Sequence, residues 1–333
     1  MTMRQRLPVV LAVSSLVTVA TVVWAPTVGS TPISFARAFD TTVAWSSNVD
    51  AQIFFVARLP RVIAGALVGA ALAAAGVILQ ALLRNPLATP YTLGVSSGAA
   101  LGAMLATAFH MEATWLGISA VPLVSFIGSM LATAIVYGLA ASQRRGLSTN
   151  VLLLAGVTLN AFFSALILFV QYFADMSDAL RAVRWLMGDL DAGTLAPIGA
   201  ALPLLLLSAA AMATLPRVLN VLTLGEDVAA SRGVDVHRAQ RLAFLSASLA
   251  TGAAVSLGGP IGFIGIIVPH LVRLILGADH RLVLPASTLL GASFLVVCDV
   301  LARTLLAPVE VPVGIITAVI GGPFFLWLLV RHT

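Results

Sequence analysis

Apolar residues run along this chain in about ten blocks, each long enough to cross a bilayer as a helix and set apart by short polar stretches. The predicted spans are 7–26, 62–83, 92–109, 117–141, 151–173, 194–215, 242–258, 260–277, 283–303 and 312–330. The first block follows Arg4 and Arg6 and could pass for a signal peptide. Its apolar run continues to Pro26 without an A-x-A cleavage site, so it predicts a retained first helix. No low-complexity tract or hydrophilic linker marks a boundary. The expectation is one all-α polytopic membrane domain over residues 1–333, with a longer loop at about 216–240.

Composition agrees with this reading. Hydrophobic residues make up 60% of the chain and charged residues 9%, whereas a soluble domain carries about a quarter charged residues. The lone cysteine, Cys298, excludes an internal disulfide. All eighteen basic residues are arginine. Without lysine no G-x-x-x-x-G-K-[ST] loop exists, so the chain cannot hold a nucleotide phosphate in the P-loop manner. Uphill transport would need an ion gradient or a separate energising subunit. The net charge of +5 is dispersed over short loops and reads as a topology signal rather than a nucleic-acid surface. With both termini cytoplasmic, twelve arginines fall inside and six outside, while the acids divide four inside and nine outside. That orientation obeys the positive-inside rule.

Few motifs carry chemistry. Gly65 and Gly69 form a G-x-x-x-G pair extended by Ala73, and Gly94, Gly98 and Gly102 repeat the spacing. Small residues at that spacing let helix backbones approach closely. Gly94-Val95-Ser96-Ser97-Gly98 also fits the G-x-S-x-G elbow of serine hydrolases. The elbow needs a strand-to-helix turn and a nearby histidine, so an intramembrane serine hydrolase is a remote alternative. His110, His237, His270, His280 and His332 show no metal-ligand spacing, and His270 is expected to be structural. A gradient-driven secondary transporter would need titratable groups in mid-span. Asp299, one turn before Arg303, is the nearest candidate.

Arg58 and Arg61 flank Pro60 at a predicted helix start and share a face. Topology and the helix dipole both disfavour cations there, and no acid lies nearby in sequence. The pair is therefore expected to await a carboxylate on an external partner. In the 216–240 loop, Glu226 and Asp227 open a short predicted helix, Arg232 ends it and Gly233 stops it. That charge order complements the dipole and suggests a docking element for a soluble subunit.

Arg58-Leu59-Pro60-Arg61, the run from Gln80 to Pro90, and Leu93-Gly94-Val95-Ser96-Ser97-Gly98-Ala99 together resemble the FecCD-type permeases, the membrane subunits of type II ABC importers for ferric siderophores, haem and cobalamin. Gly259 to Gly265, Val268 to Arg273, Asp299 to Arg303, Val311 to Gly314 and Gly321-Gly322-Pro323 extend the resemblance over nearly the whole chain. It implies ten helices and a homodimer in the bacterial inner membrane. Two cytoplasmic ATPase subunits would hold ATP and magnesium, this chain would bind no cofactor of its own, and a periplasmic binding protein would deliver substrate. The resemblance further implies that Arg58, Arg61 and Arg303 receive glutamates of the binding protein. Leu224, Gly225, Glu226, Asp227, Ala230, Arg232 and Gly233 would form the ATPase coupling element. Asn85, Pro86 and Leu87, with Ser148, Thr149 and Asn150, would narrow the cytoplasmic end of the pathway, and Met176 to Asp191 would cover its mouth. Iron chelate or haem is the first expectation for substrate, with cobalamin close behind.

Overall fold

A computed structural model describes residues 3–111, 114–115, 118–142, 149–191 and 194–332. In chain order the helices are α1 (Met3–Trp24), α2 (Phe35–Ala38), α3 (Val49–Gln52), α4 (Leu59–Leu82), α5 (Val95–Ala108), α6 (Ala120–Ala141), α7 (Thr149–Phe173), α8 (Met176–Leu186), α9 (Ala196–Ala213), α10 (Pro216–Leu222), α11 (Glu226–Ser231), α12 (Val236–Gly258), α13 (Ile264–Leu276), α14 (His280–Thr304) and α15 (Val313–His332). Each predicted span corresponds to one apolar helix: α1, α4, α5, α6, α7, α9, α12, α13, α14 or α15. Among the described residues seven apolar helical stretches are long enough to cross a membrane unaided, and α5, α13 and the apolar part of α15 are shorter. The all-α expectation needs one small addition. Thr114–Trp115 pairs antiparallel with Ile118–Ser119.

The core is built from small residues rather than bulky ones. Helices α4, α12 and α14 bury most of their length, while α1 stays peripheral. α4 and α14 run antiparallel, since Arg61 meets Asp299 at one end and Gly69 meets Gly291 further along. A Cβ on Gly69 would lie 2.3 Å from the Gly291 carbonyl oxygen, and one on Gly98 would lie 2.6 Å from the Gly128 carbonyl oxygen in α6. Backbone cannot yield as a side-chain tip can. Gly65 is looser, its nearest neighbour being the Leu190 Cδ1 at 3.3 Å. Gly69→Leu is therefore expected to part α4 from α14 and lower stability by about 1–3 kcal/mol or more. Thermal unfolding in detergent reads this, with Gly65→Ala, expected to be mild, as the control.

The bundle separates two polar ends. The 25-residue α14 spans about 37 Å at the α-helical rise. Asp279 caps its start, and Asp299 and Arg303 lie in its last turns. Residues clustered around one of these points are thus remote from the other.

Candidate functional site

At the Arg303 end, helical backbone continues upstream of α4. Val49 to Leu82 forms one apolar stretch, with a π-helical turn over Ile53–Arg58. The Pro60 ring would clash with the carbonyl four residues back, and a wider turn immediately before it relieves the crowding. This corrects the expectation of a free helix N-terminus at Arg58, so the dipole penalty anticipated there does not arise.

The arginines are brought together, but not as free outward cations. Arg58 is 6% exposed. Its Nη1 donates to the Pro26 carbonyl at 3.1 Å and its Nη2 to the Thr31 carbonyl. Gly29 makes room, because a Cβ there would lie 2.5 Å from Arg58 Nη2. Arg303 is 3% exposed; its Nη2 donates to the Ala25 carbonyl at 3.1 Å and its Nε lies 3.2 Å from Asp299 Oδ2. Arg61 Nε donates to Asp299 Oδ1 at 2.8 Å and Nη1 to Glu310 Oε2 at 2.6 Å. The expectation of arginines without local acids is therefore wrong. Asp299 and Glu310 arrive from more than two hundred residues along the chain, and the carbonyls of residues 25, 26 and 31 complete the shell. Three guanidinium groups against two carboxylates leave the cluster one charge positive. Arg303 Nη1 is buried without a hydrogen-bond acceptor, and Glu310 forms the exposed rim.

The opposite end carries the segment expected to couple to an ATPase subunit. α11 spans Glu226–Ser231, with Gly225 before it at φ +126° and Gly233 after it at φ +79°. Both glycines occupy backbone conformations that side chains disfavour. Only Ala229 of this helix is buried, while Leu224, Glu226, Asp227, Ala230 and Arg232 are exposed. Gln240 Nε2 donates to Glu226 Oε1 at 3.1 Å, and Arg84 Nη2 lies 3.4 Å from the same oxygen. Arg84 immediately precedes Asn85-Pro86-Leu87, so α11 touches the chain next to the expected gate. Sequence reading missed this contact; the positive φ that places Arg84, +48°, leaves no signal in an arginine.

The residues expected to form the gate are less closely joined. Asn85 Oδ1 accepts from Leu87 N at 2.9 Å, and Asn85 N donates to the Gln80 carbonyl at 3.1 Å. The Gln80 side chain donates to the Gly265 carbonyl at 2.7 Å and accepts from Arg273. Thr149 is half-buried and Asn150 exposed at the start of α7. No hydrogen bond joins either to Asn85–Leu87 among the described residues, and Ser148 lies outside them.

Gly94, at φ +76°, caps α5, and Ser96 is buried in its first turn. Ser97 Oγ donates to Asn160 Oδ1 at 2.6 Å, and Asn160 Nδ2 donates to the Tyr91 carbonyl at 2.7 Å. This link ties α7 to the α5 entrance and had no signature in the sequence. Ser96 and His110 sit at opposite ends of α5, about 20 Å apart along its axis, so they form no nucleophile–base pair.

The expected mouth cover is mostly helix α8, followed by a clamp. Asp189 N donates to the Gly258 carbonyl at 3.0 Å. A Cβ on Gly259 would lie 2.5 Å from the Trp185 carbonyl oxygen, and one on Gly314 2.1 Å from that of Met187. The glycines of the 259–265 and 311–314 motifs thus receive the backbone of 185–188.

The comparisons with known proteins follow the same outline. Residues 16–331 match the model of the FecCD transport family. The chain is 44% identical over 273 residues to the cobalamin import system permease protein BtuC of Halobacterium salinarum, covering 82% of this chain and 72% of that one. It is 39% identical over 306 residues to the hemin transport system permease protein HmuU of Yersinia pestis, covering 91% and 90%. A solved structure described as a metal-chelate type ABC transporter in an inward-facing conformation superposes with a TM-score of 0.81. Their identity is 32%, with 98% of this chain and 99% of that chain covered.

Proposed function

The chain belongs to the FecCD transport family, and we propose that it is the permease subunit of an ATP-driven importer for an iron chelate, either a ferric siderophore or haem. Two copies would enclose the pathway. A cytoplasmic ATPase subunit would grip the Leu224–Gly233 segment of each copy, and an external binding protein would dock at the Arg303 end. The supporting observation is the pairing of an exposed loop helix, with two acids in its first turn, with a net-positive arginine cluster at the opposite end of one apolar bundle. The positive-inside bias puts the loop helix in the cytoplasm.

Burial changes how docking would work. A binding-protein carboxylate cannot reach Arg58 or Arg303 directly in this arrangement. It would meet Arg61 at the rim, where Glu310 already sits, and exchange with that carboxylate. Such a partly exposed contact governs encounter rate and register more than affinity, and weakens with salt.

Energy would come from the partner subunit, which would also hold ATP and magnesium. The isolated chain in lipid is expected to hydrolyse ATP no faster than background, and adding the ATPase subunit should confer turnover. Substantial hydrolysis by the isolated chain would sink the proposal. A secondary transporter is disfavoured by Asp299, whose charge is committed to Arg61 and Arg303 near a helix end. Cobalamin is the second substrate reading, favoured by the relative from Halobacterium salinarum. The absorption spectrum of a co-purified binding protein distinguishes the candidates, because haem, a corrinoid and a catecholate–iron complex absorb differently.

A further inference from the structure

Side-chain hydrogen bonds from Thr18 and Ser293 fasten the second half of α1 to α14. Thr18 donates to the Leu289 carbonyl at 2.8 Å, Ser293 Oγ lies 3.2 Å from Thr18, and Ala25, just past the end of α1, packs with Val62, Val296 and Val300. Its first half packs Val10 against the core, and beside that contact Leu7 and Leu11 border a cleft of about 860 Å³. Leu7 and Leu11 of α1 form one wall, Ala70 and Ala74 of α4 the floor, and Leu206 and Ala209 of α9 the opposite rim. The alanines create the space, since a run of small side chains leaves the groove unfilled. The hydroxyls lining it are satisfied internally: Ser208 donates to the Leu205 carbonyl and Thr288 to the Leu284 carbonyl. The wall is thus apolar to any occupant.

The mouth of the cleft is basic. Arg217 and Arg281 border it at the end of the bundle that carries α11. Two of the three guanidinium nitrogens of Arg281, Nε and Nη2, are taken by Asp279, and that guanidinium holds the Asp279 carboxyl well below the usual carboxylate range. Arg217 is exposed and makes no ion pair among the described residues. An acyl-chain-sized apolar groove opening beside an unpaired arginine at the membrane surface has the chemistry of an anionic phospholipid site. Acyl chain fills the groove, and the phosphate meets Arg217 with the remaining Nη1 of Arg281. The volume falls in the range of ligand pockets, and packing is lost wherever such a wall faces empty space.

We infer that the cleft between the first half of α1 and helices α4, α9 and α14 holds one anionic glycerophospholipid, its phosphate on Arg217. Neither the substrate nor the ATPase partner enters this inference, so it stands or falls separately from the transport reading.

The test is native mass spectrometry of the full-length chain released from nanodiscs containing phosphatidylglycerol or phosphatidylcholine of identical chains. Wild type is expected to retain phosphatidylglycerol preferentially. Arg217→Gln should weaken that retention about fivefold, one arginine's share of the attraction, and Arg217→Lys should restore most of it. Ala209→Trp leaves both arginines in place but fills the groove, and should displace the lipid equally well. Unchanged thermal unfolding shows that each variant folds. Equal retention of the two lipids by wild type, or undiminished retention in both Arg217→Gln and Ala209→Trp, would overturn the site. So would an intersubunit disulfide at Leu206→Cys in a Cys298→Ser background, which would place a second copy over the cleft.

Discussion

Asp299→Ala is expected to cost about 3–5 kcal/mol of stability, the penalty for stranding a buried charge partner. Asp299 is 1% exposed and serves two cations, Arg61 at 2.8 Å and Arg303 at 3.2 Å. Removing it leaves three guanidinium groups, Arg58 included, with only the rim carboxylate of Glu310 and a few backbone carbonyls. Arg303 suffers most, because its Nη1 already lacks an acceptor. The measurement is thermal unfolding of the purified chain, with Asp299→Asn as the isosteric comparison. A second substitution, Arg303→Met in the Asp299→Ala background, should recover part of the loss by withdrawing the unpaired buried cation. Rim chemistry should respond differently. Glu310→Gln removes only a half-exposed partner of Arg61, and exposed pairs contribute about 0–1 kcal/mol. If Asp299→Ala melts with wild type, the cluster is not the structural node that its burial indicates.

The contrast between Asp299 and Glu310 also marks what could be read from the sequence. Ten apolar blocks announced ten helices because burial in a bilayer demands long runs of apolar side chains, and that demand is local. The glycine spacing announced close helix approach for the same reason, although not the partners: nothing in Gly69 names Gly291. Asp299 was visible one turn before Arg303, since an i, i+4 pair is a property of a single helix. Its bond to Arg61 was not, for it depends on α4 and α14 running antiparallel side by side. Glu310 lies in the short connector between α14 and α15, where its apolar sequence neighbours name no partner. The arginines expected to be exposed were thus misjudged in exposure. Cations with no acid near them in sequence looked unpartnered, whereas the fold supplies carboxylates and carbonyls from both chain ends. Helix α11 was easier, because its charges and terminating glycine all lie within ten residues.

Reversing the two acids of that helix, Glu226→Arg with Asp227→Arg, is expected to lower uptake at least tenfold while leaving expression and thermal unfolding unchanged. The fold should survive because both side chains are exposed, and Ala229, which anchors the helix, is untouched. Two mechanisms could produce the loss. The acids could contact the ATPase subunit directly, or Glu226 could transmit motion to the gate through Arg84, 3.4 Å away. Magnitudes separate them. The Arg84–Glu226 pair is about half exposed on both sides, so breaking it is worth at most about 1 kcal/mol, roughly fivefold. Arg84→Ala should therefore have a mild effect if the acids act mainly by binding the ATPase. The charge swap Arg84→Glu with Glu226→Arg completes the test. It restores the internal pair yet leaves the wrong sign facing the partner, so association with the ATPase subunit should remain weak in a pull-down at low salt. Recovery of both association and uptake in the swap would show that Glu226 serves the gate and not the ATPase. Normal uptake in the original double reversal would remove α11 from coupling altogether.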